Sequence, residues 1–509
     1  MAAARYAVVE IAAQEILLKL YEISAKSGIQ TVDTIRRSIP IGRETYVLGK
    51  ISADVLEKIC DVLNSFSGII REYRVEQVRC VATSAVRDAK NCSMILDQIR
   101  VRTGFEVAAL SNSEQRFLRL KGAASQSSVY QLLEKGTLFV DIGSGSLQVS
   151  VFDKMTLMST QNISLGTGRL DEMYSAPNES IGTMEGIVKE LIDNDIHKFE
   201  KMFLKDREIK NVIIVGDGLV SYLRRCLERE AKGTPTVEDF GRFYQKISGK
   251  SAAELSRILE IPVEYASMIT TSVLLYQALL EASKADTVCM PKSDLCDGVV
   301  LDVAERKKMI RAQHDFNEDI LAASQNICRR YMGNKKHALA TEKVVCQIFD
   351  AIRKYHGLGS RERLLLQIAA LLHDCGKFIS MSTPGDCSYH IIMSTEILGL
   401  SDVEREIVAN IVRYNTLEFP SYEEIDGKLS MEDYLVVMKL AAILRVGNAI
   451  DRSHKQKFDP MKLTLKGSTL VITTGYEGDI MLEKSILDSK SRFFEEVYGI
   501  RLQVKQKRN

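Results

Sequence analysis

Two stretches of this chain repeat one pattern, and that repeat limits the folds available to it. The first reads Val9-Glu10-Ile11-Ala12-Ala13-Gln14-Glu15-Ile16-Leu17-Leu18, the second Val140-Asp141-Ile142-Gly143-Ser144-Gly145-Ser146-Leu147-Gln148-Val149. In each, an apolar strand ends on an acid, a turn of small residues follows, and a second strand begins. Each also opens a segment of several strands followed by alternating helices and strands. Two such halves imply a duplicated α/β domain with a ligand cleft between the copies. In the second copy, Gly143 and Gly145 let backbone N–H groups approach an anion, and Ser144 and Ser146 add hydroxyl donors. An acid beside such a loop can hold a hydrated metal against phosphate oxygens. Taken alone, the same Gly-Ser run would equally serve as a hairpin turn.

A chain of 509 residues exceeds one core, and three to four domains are expected. The net charge of +1 offers no global attraction to nucleic acid or membrane, and neither is expected as a partner. The ten cysteines include no CxxC pair, which favours reduced thiols over a disulfide frame. No signal-peptide pattern and no membrane-length apolar run is evident, so a cytoplasmic location is expected.

The pattern divides the chain into residues 1–130, 131–305, 306–456 and 457–509. Strands are expected in the first part at Tyr6–Ile11, Ile16–Ile23, Tyr46–Gly49, Val78–Thr83 and Glu106–Leu110, with helices at Ala53–Tyr73, Cys92–Thr103 and Glu114–Gln126. The second part carries strands at Thr137–Asp141, Leu147–Phe152, Leu157–Ile163 and Val212–Val215. From about Asn317 the pattern is almost purely helical. The tail returns to strand alternation over Leu463–Thr474 and Ile500–Val504, with a helix near Lys484–Val497.

Further segments carry chemistry. Arg87, in Thr83-Ser84-Ala85-Val86-Arg87-Asp88-Ala89-Lys90-Asn91, lies between a strand and a helix, where it can bind phosphate bidentately or make a surface ion pair. Ser111 with Glu114 forms a capping-box pattern; the functional alternative for Glu114 is an acid that orients water at the cleft edge. Gly216 and Gly218 follow a strand and precede a helix, so they can serve a further phosphate or simply turn the chain.

Duplicated phosphate loops facing a cleft resemble the acetate and sugar kinase, heat-shock protein and actin superfamily. With the TSAVRDAKN, SNSEQRFL and VDIGSGS segments, Ser164–Leu170, IIVGDG and Leu295–Val299, nearly the whole chain resembles the Ppx/GppA family of exopolyphosphatases and guanosine pentaphosphate phosphohydrolases. The resemblance implies a duplicated actin-like (ASKHA, ribonuclease H-like) α/β fold. It implies hydrolysis of the terminal phosphoanhydride of inorganic polyphosphate or pppGpp, with Mg²⁺ in the interdomain cleft. Arg87 would bind the scissile phosphate, Gly143 to Ser146 would cradle it, with Gly216 and Gly218 nearby, and Asp141 and Glu10 would hold metal or water. A homodimer is also implied.

The departures weaken the chemistry. The family pattern S-G-x-E-E-[AG]-R places its general base on Gln115, with Glu114 as the first acid. An amide cannot accept a proton from water, a loss of roughly 10²–10⁴ in rate unless another group replaces it. A second family acid falls on Gln148, and the first loop has lost its glycine. A phosphate-binding regulator without turnover is therefore the alternative function.

The helical part resembles the HD phosphohydrolase pattern. His337, His373 and Asp374, with Asp451 further on, would form a second divalent-metal site, and a third function follows, that of an HD-type nucleotide phosphohydrolase. Residues 457–509 read as a small α/β cap without chemistry.

Overall fold

The computed structural model describes residues 4–24, 26–174, 181–205, 207–231, 235–310, 314–425 and 429–507. Two compact units account for the chain, Met1–Phe316 and Asn317–Asn509.

The first unit contains the duplication. Strands β1 (Ala4–Ile11), β2 (Glu15–Ser24), β3 (Gly28–Ser38), β4 (Gln77–Ala82) and β5 (Val107–Ala109) form one sheet in the order β3-β2-β1-β4-β5. Strands β6 (Thr137–Ile142), β7 (Leu147–Asp153), β8 (Thr156–Ile163), β9 (Asn211–Gly216) and β10 (Thr287–Cys289) form another in the order β8-β7-β6-β9-β10. Each sheet pairs its first three strands antiparallel and adds the last two in parallel. The repeat legible in two loops thus extends through two whole sheets.

Strand periodicity positions the acids. On β1, Ala7, Val9 and Ile11 face a core shared with the Ala53–Glu72 helix, while Tyr6 and Val8 face another core built on the Leu295–Arg306 helix. With a period of two, Glu10 falls on the Tyr6 and Val8 face. On β6, Leu138, Val140 and Ile142 enter their own lobe's core, which leaves Asp141 on the opposite face. Both acids therefore point away from the core of the lobe that carries them, at the ends of the two central strands.

Two helices, Asn112–Ala124 and Leu295–Arg306, cross tightly beside these strands. Glycines make the crossing close. A Cβ on Gly298 would lie 1.8 Å from the Leu118 carbonyl oxygen, and one on Gly122 would lie 2.9 Å from the Gly298 nitrogen. Ion pairs flank the contact: Lys19 with Asp294 and Asp297, and Lys121 with Asp302 and Glu305.

Two expectations are corrected. Tyr46–Gly49 is not a strand; Ile41–Leu48 is a helix, closed by Gly49 in the left-handed region at φ 71°. The third strand of the first sheet is instead β3, an edge strand largely open to solvent, whose mixed polar pattern hides its pairing. In the tail, Leu463–Thr474 is a hairpin rather than a continuous strand. Strands β11 (Met461–Lys466) and β12 (Thr469–Thr474) turn at Gly467, φ 56°, and β13 (Arg501–Gln506) adds in parallel to β12. The rest of the second unit is helical. Among the described residues, no helix is long and apolar enough to cross a membrane.

The crossing gives a stability test. Gly298→Ala is expected to lower stability by about 2–3 kcal/mol, because backbone rather than a flexible side chain occupies the space. Gly68→Ala, on a helix position with nothing within 4 Å, is the control and is expected to be neutral or mildly stabilising in thermal melts.

Candidate functional site

A cavity of roughly 190 Å³ opens between the two lobes of the first unit, lined by Ser84, Arg87, Asp88, Asn112, Gln115, Arg116, Arg119, Gly143, Ser144, Gly145, Ser146 and Asn162. Three guanidinium groups and one exposed carboxylate set its charge, which suits a small polyanion.

The loop after β6 forms one wall. Gly143 N–H donates to the Ser146 carbonyl at 3.0 Å, which closes the turn. The following segment lies flat against it: Thr167 N–H donates to Gly143 O at 3.1 Å and Gly168 N–H to Ser144 O at 3.0 Å. Only glycine fits at 166, where a Cβ would meet Ser144 O at 2.2 Å. Gly216 and Gly218 lie outside the cavity lining. A Cβ on Gly216 would meet Ile142 O at 2.6 Å and one on Gly218 would meet Glu15 Oε1 at 2.7 Å, so both serve close packing between loops.

The opposite wall is the start of the Asn112–Ala124 helix. Ser111 caps it, accepting from Glu114 N–H at 3.2 Å, while the Glu114 carboxylate accepts from Ser111 N–H at 2.9 Å. The capping box read from the sequence is present. Glu114 has its carboxylate engaged there and does not line the cavity, whereas Gln115 does. The Gln115 side chain is buried, and its Oε1 has no hydrogen-bond partner among the described residues. Arg87 is held in place from three sides: Nη1 donates to Leu110 O at 2.8 Å, Nη2 to Asn112 Oδ1 at 2.8 Å, and Nε to Asp88 at 2.8 Å. The ion pair foreseen for Arg87 is present, and the residue also lines the cavity.

Two further arginines on that helix escaped the sequence reading. Arg116 Nη2 donates to Ser146 Oγ at 2.6 Å and ties the helix to the glycine loop. Arg119, one turn beyond Gln115, is 3% exposed and donates from Nη1 to Asp141 Oδ1 at 2.8 Å; Asp141 is 1% exposed. The available signal was the three-residue spacing of Arg116 and Arg119, which puts both on one side of the helix with Gln115.

Arg119 also faces Glu10 and Asp217 electrostatically. Burial pushes the Glu10 carboxyl up to about 7 despite the guanidinium, with Asp294 and Glu15 adding to the rise. Burial likewise raises the Asp217 carboxyl, against the pull of Arg119 and of the Leu219 N–H. Gln148 pairs across the strands with Asp141, and its amide adds no charge. The residues expected to hold Mg²⁺ do not fit it. Magnesium requires several oxygens at about 2.0–2.1 Å in octahedral array, yet Asp141 Oδ1 already accepts from the buried Arg119 guanidinium, its unpartnered Oδ2 lies beside that same positive charge, and the two positions where the family pattern has acids, 115 and 148, are amides.

The second unit holds another cluster. His337 (1% exposed) begins the Lys335–Ala351 helix, and His373 (4% exposed) ends the Ser360–Leu372 helix. His337 Nδ1 meets Asp451 Oδ2 at 2.8 Å, His373 Nδ1 meets Ala370 O at 2.7 Å, and the two Nε2 atoms face each other at 3.1 Å. Asp374 lies 3.6 Å from His373 Nε2 and pairs with Lys377. Asp451 stands behind His337, its other oxygen accepting from Gln456 N–H at 2.7 Å. The ligand atoms that converge within 4.8 Å belong to His337, Asp374 and His454, the last stacked on His337 at 3.8 Å.

Residues 20–307 match the Ppx/GppA phosphatase family, and residues 322–490 match domain III of the same phosphatases. The chain belongs to the Ppx/GppA phosphatase family. Ppx/GppA proteins are phosphohydrolases, and curated relatives agree. A protein named guanosine-5'-triphosphate,3'-diphosphate pyrophosphatase from Photobacterium profundum is 19% identical over 458 residues, 88% of this chain and 87% of that one. Its namesake from Vibrio atlanticus is 20% identical, over 86% of this chain and 87% of that one. Among solved structures, an exopolyphosphatase from Cytophaga hutchinsonii superposes with a TM-score of 0.53 at 18% identity, covering 60% of this chain and 100% of that chain. A Ppx/GppA member from Aquifex aeolicus gives 0.50 at 18% identity, covering 62% and 100%. These structures share the fold over about 60% of this chain.

The buried acid at position 10 has a pH signature. Because the folded-state carboxyl titrates near 7 and the unfolded one near 4.5, the folded protein holds a proton the unfolded chain has lost over that window, and stability falls as pH rises through it. Glu10→Gln is therefore expected to raise stability by roughly 3 kcal/mol at about pH 8 and by little at about pH 4, measured by denaturant melts at both.

Proposed function

We propose that the cleft of the first unit binds the terminal phosphates of inorganic polyphosphate or of a guanosine polyphosphate and hydrolyses the terminal phosphoanhydride slowly, releasing orthophosphate. The observation that carries this reading is the cavity itself: a glycine-serine loop opposite Arg87, Arg116 and Arg119 in a space sized for phosphate. The relatives named for guanosine-5'-triphosphate,3'-diphosphate and for polyphosphate supply the two substrate classes. Both present the same terminal group.

The chemistry follows from the groups present. Hydrolysis of a phosphoanhydride passes through a loose transition state with charge spread over the phosphoryl oxygens, and fixed donors aimed at them lower its energy. Arg87, Arg116 and the loop N–H groups are such donors. Arg87 needs no reorganisation on binding, since Leu110, Asn112 and Asp88 already hold it. The attacking water must be oriented and must lose a proton. The Gln115 Oε1 can accept a hydrogen bond from that water and orient it, as glutamine does in other phosphohydrolases, but cannot take the proton. Slow turnover beside firm binding is the consequence.

Gln115→Glu is expected to raise kcat for phosphate release from polyphosphate or pppGpp by about 10²-fold or more, with a smaller change in KM. Arg87→Ala is expected to weaken binding and turnover together. A Gln115→Glu chain no faster than wild type would sink the assignment of position 115 to the water.

One observation favours a second metal-binding reading in the other unit. The partners of the His337 and His373 Nδ1 atoms, a carboxylate and a carbonyl, assign the protons there and leave lone pairs on the two facing Nε2 atoms. Facing lone pairs repel unless a cation or a proton lies between them. Two ligands on one divalent metal sit about 3 Å apart, so the facing Nε2 atoms of His337 and His373 fit a shared metal, with Asp374 and His454 converging on the same space and Asp451 orienting His337 from behind. Elemental analysis of purified protein is expected to find about one divalent metal per chain, lost in His373→Ala. Metal-free wild-type protein that takes up none on titration would leave the cluster a shared-proton pair.

A further inference from the structure

We propose that Arg119 is the resident cation of the phosphate cleft, standing where a divalent metal would otherwise neutralise Asp141, Glu10 and Asp217, so that phosphate binds there without metal. The inference deepens the phosphate-cleft reading above and rests on it for the identity of the ligand.

Four observations converge. Arg119 and Asp141 are both almost wholly buried, and the 2.8 Å contact between Nη1 and Oδ1 is a charge-assisted bond that a metal at the same oxygen would have to break. Arg119 interacts with three acids at once, Asp141, Glu10 and Asp217. Gln148, opposite Asp141 across the strands, and Gln115, one turn before Arg119, carry amides where the family pattern has acids, so neither adds negative charge beside Asp141. Arg119 also lines the cavity beside Gly143 and Ser144, with its Nε–H lacking a hydrogen-bond partner among the described residues. A guanidinium has five N–H donors in a fixed plane, so one edge can serve Asp141 while donors remain for a phosphate oxygen. The second oxygen of Asp141, Oδ2, has no hydrogen-bond partner among the described residues, but a metal bound there would face the fixed positive charge of Arg119 across the same carboxylate.

The arrangement is also self-consistent along the chain. Gln115 and Arg119 are one helical turn apart and lie on the same face. An amide at the first position does not compete with Asp141 for the guanidinium at the second.

Binding of Mn²⁺, followed by electron paramagnetic resonance, and of tripolyphosphate, followed by calorimetry, tests the proposal on the full chain. Wild type is expected to bind tripolyphosphate saturably in EDTA and to hold no Mn²⁺ that depends on Asp141. Arg119→Ala is expected to lose tripolyphosphate affinity in EDTA by about tenfold or more and to gain a Mn²⁺ site that Asp141→Asn removes. Arg119→Lys keeps the charge and is expected to keep Mn²⁺ out; it stands in should the alanine variant not fold. His373→Ala removes any contribution from the second unit. Wild-type Mn²⁺ binding that survives His373→Ala and disappears in Asp141→Asn overturns the proposal, as does tripolyphosphate binding that appears only when Mg²⁺ is added. Absence of tripolyphosphate binding under either condition sinks the phosphate-cleft reading instead, and the Mn²⁺ measurements still decide the role of Arg119.

Discussion

The contact between Arg119 and Asp141 ties together the two halves of the duplicated unit. Asp141 ends the central strand of the second sheet, whereas Arg119 belongs to the helix that follows the first. Neither charge has appreciable contact with solvent. Removing one partner of such a pair strands the other in a medium that solvates it poorly, a loss of about 3–5 kcal/mol. Replacing both with well-packed apolar groups would often cost nothing, so stability alone does not explain the pair. Its neighbours do: it sits among Glu10, Asp217, Gln115 and the glycine loop, where charge decides what can bind.

The two crossing helices keep that charge in register. Gly122 and Gly298 allow the Asn112–Ala124 and Leu295–Arg306 backbones to touch, and Lys19, Lys121 and their acidic partners clamp both sides of the contact. The helix is therefore fixed along its length. Ser111 and Glu114 fix its first turn by reciprocal hydrogen bonds, and Arg116 bonds the Ser146 side chain across the cleft. An arginine delivered from such a helix is placed by many contacts besides its own. Loops of the first half, by contrast, give the cleft less: Ala12 and Gln14 stand where the second loop has Gly143 and Gly145, and none of the residues from 10 to 15 lines the cavity.

Much of this was legible in the sequence because it depends on local rules. Strand alternation and the acid–turn–strand repeat marked β1, β2, β6 and β7, and the capping box at Ser111 was readable from two residues. The edge strand β3 was not, since an exposed strand needs no apolar alternation and carries little periodic signal. Tyr46 read as strand because its neighbours are β-branched or aromatic, yet Gly42 packs against Ala13 and Tyr46 in a helix; that contact is non-local. The roles of Arg116 and Arg119 were hidden for the same reason. A basic residue on a helix normally lies in solvent, and only the second sheet, folded from residues after the helix, supplies the Asp141 that draws Arg119 inward. Gln115 and Gln148 were visible as departures, but their common consequence, a cluster with less negative charge, emerges only when both amides stand near one guanidinium.

A fixed guanidinium and a metal ion do different work in a phosphate site. Both neutralise phosphoryl oxygens, but a divalent metal also withdraws electron density and can hold a water as a stronger acid. A guanidinium does neither; it contributes directed hydrogen bonds and a charge that needs no supply from solution. Those bonds act on the bound substrate nearly as strongly as on its transition state, and such uniform binding lowers KM without raising kcat. An orienting amide at position 115 pushes in the same direction, since it positions water without accepting a proton. On the proposed reading, Gln115, Arg119 and Gln148 act on one balance together, favouring affinity for a terminal phosphate over its hydrolysis. Occupancy of the cleft, rather than the rate of phosphate release, is then the quantity that this set of residues controls most directly.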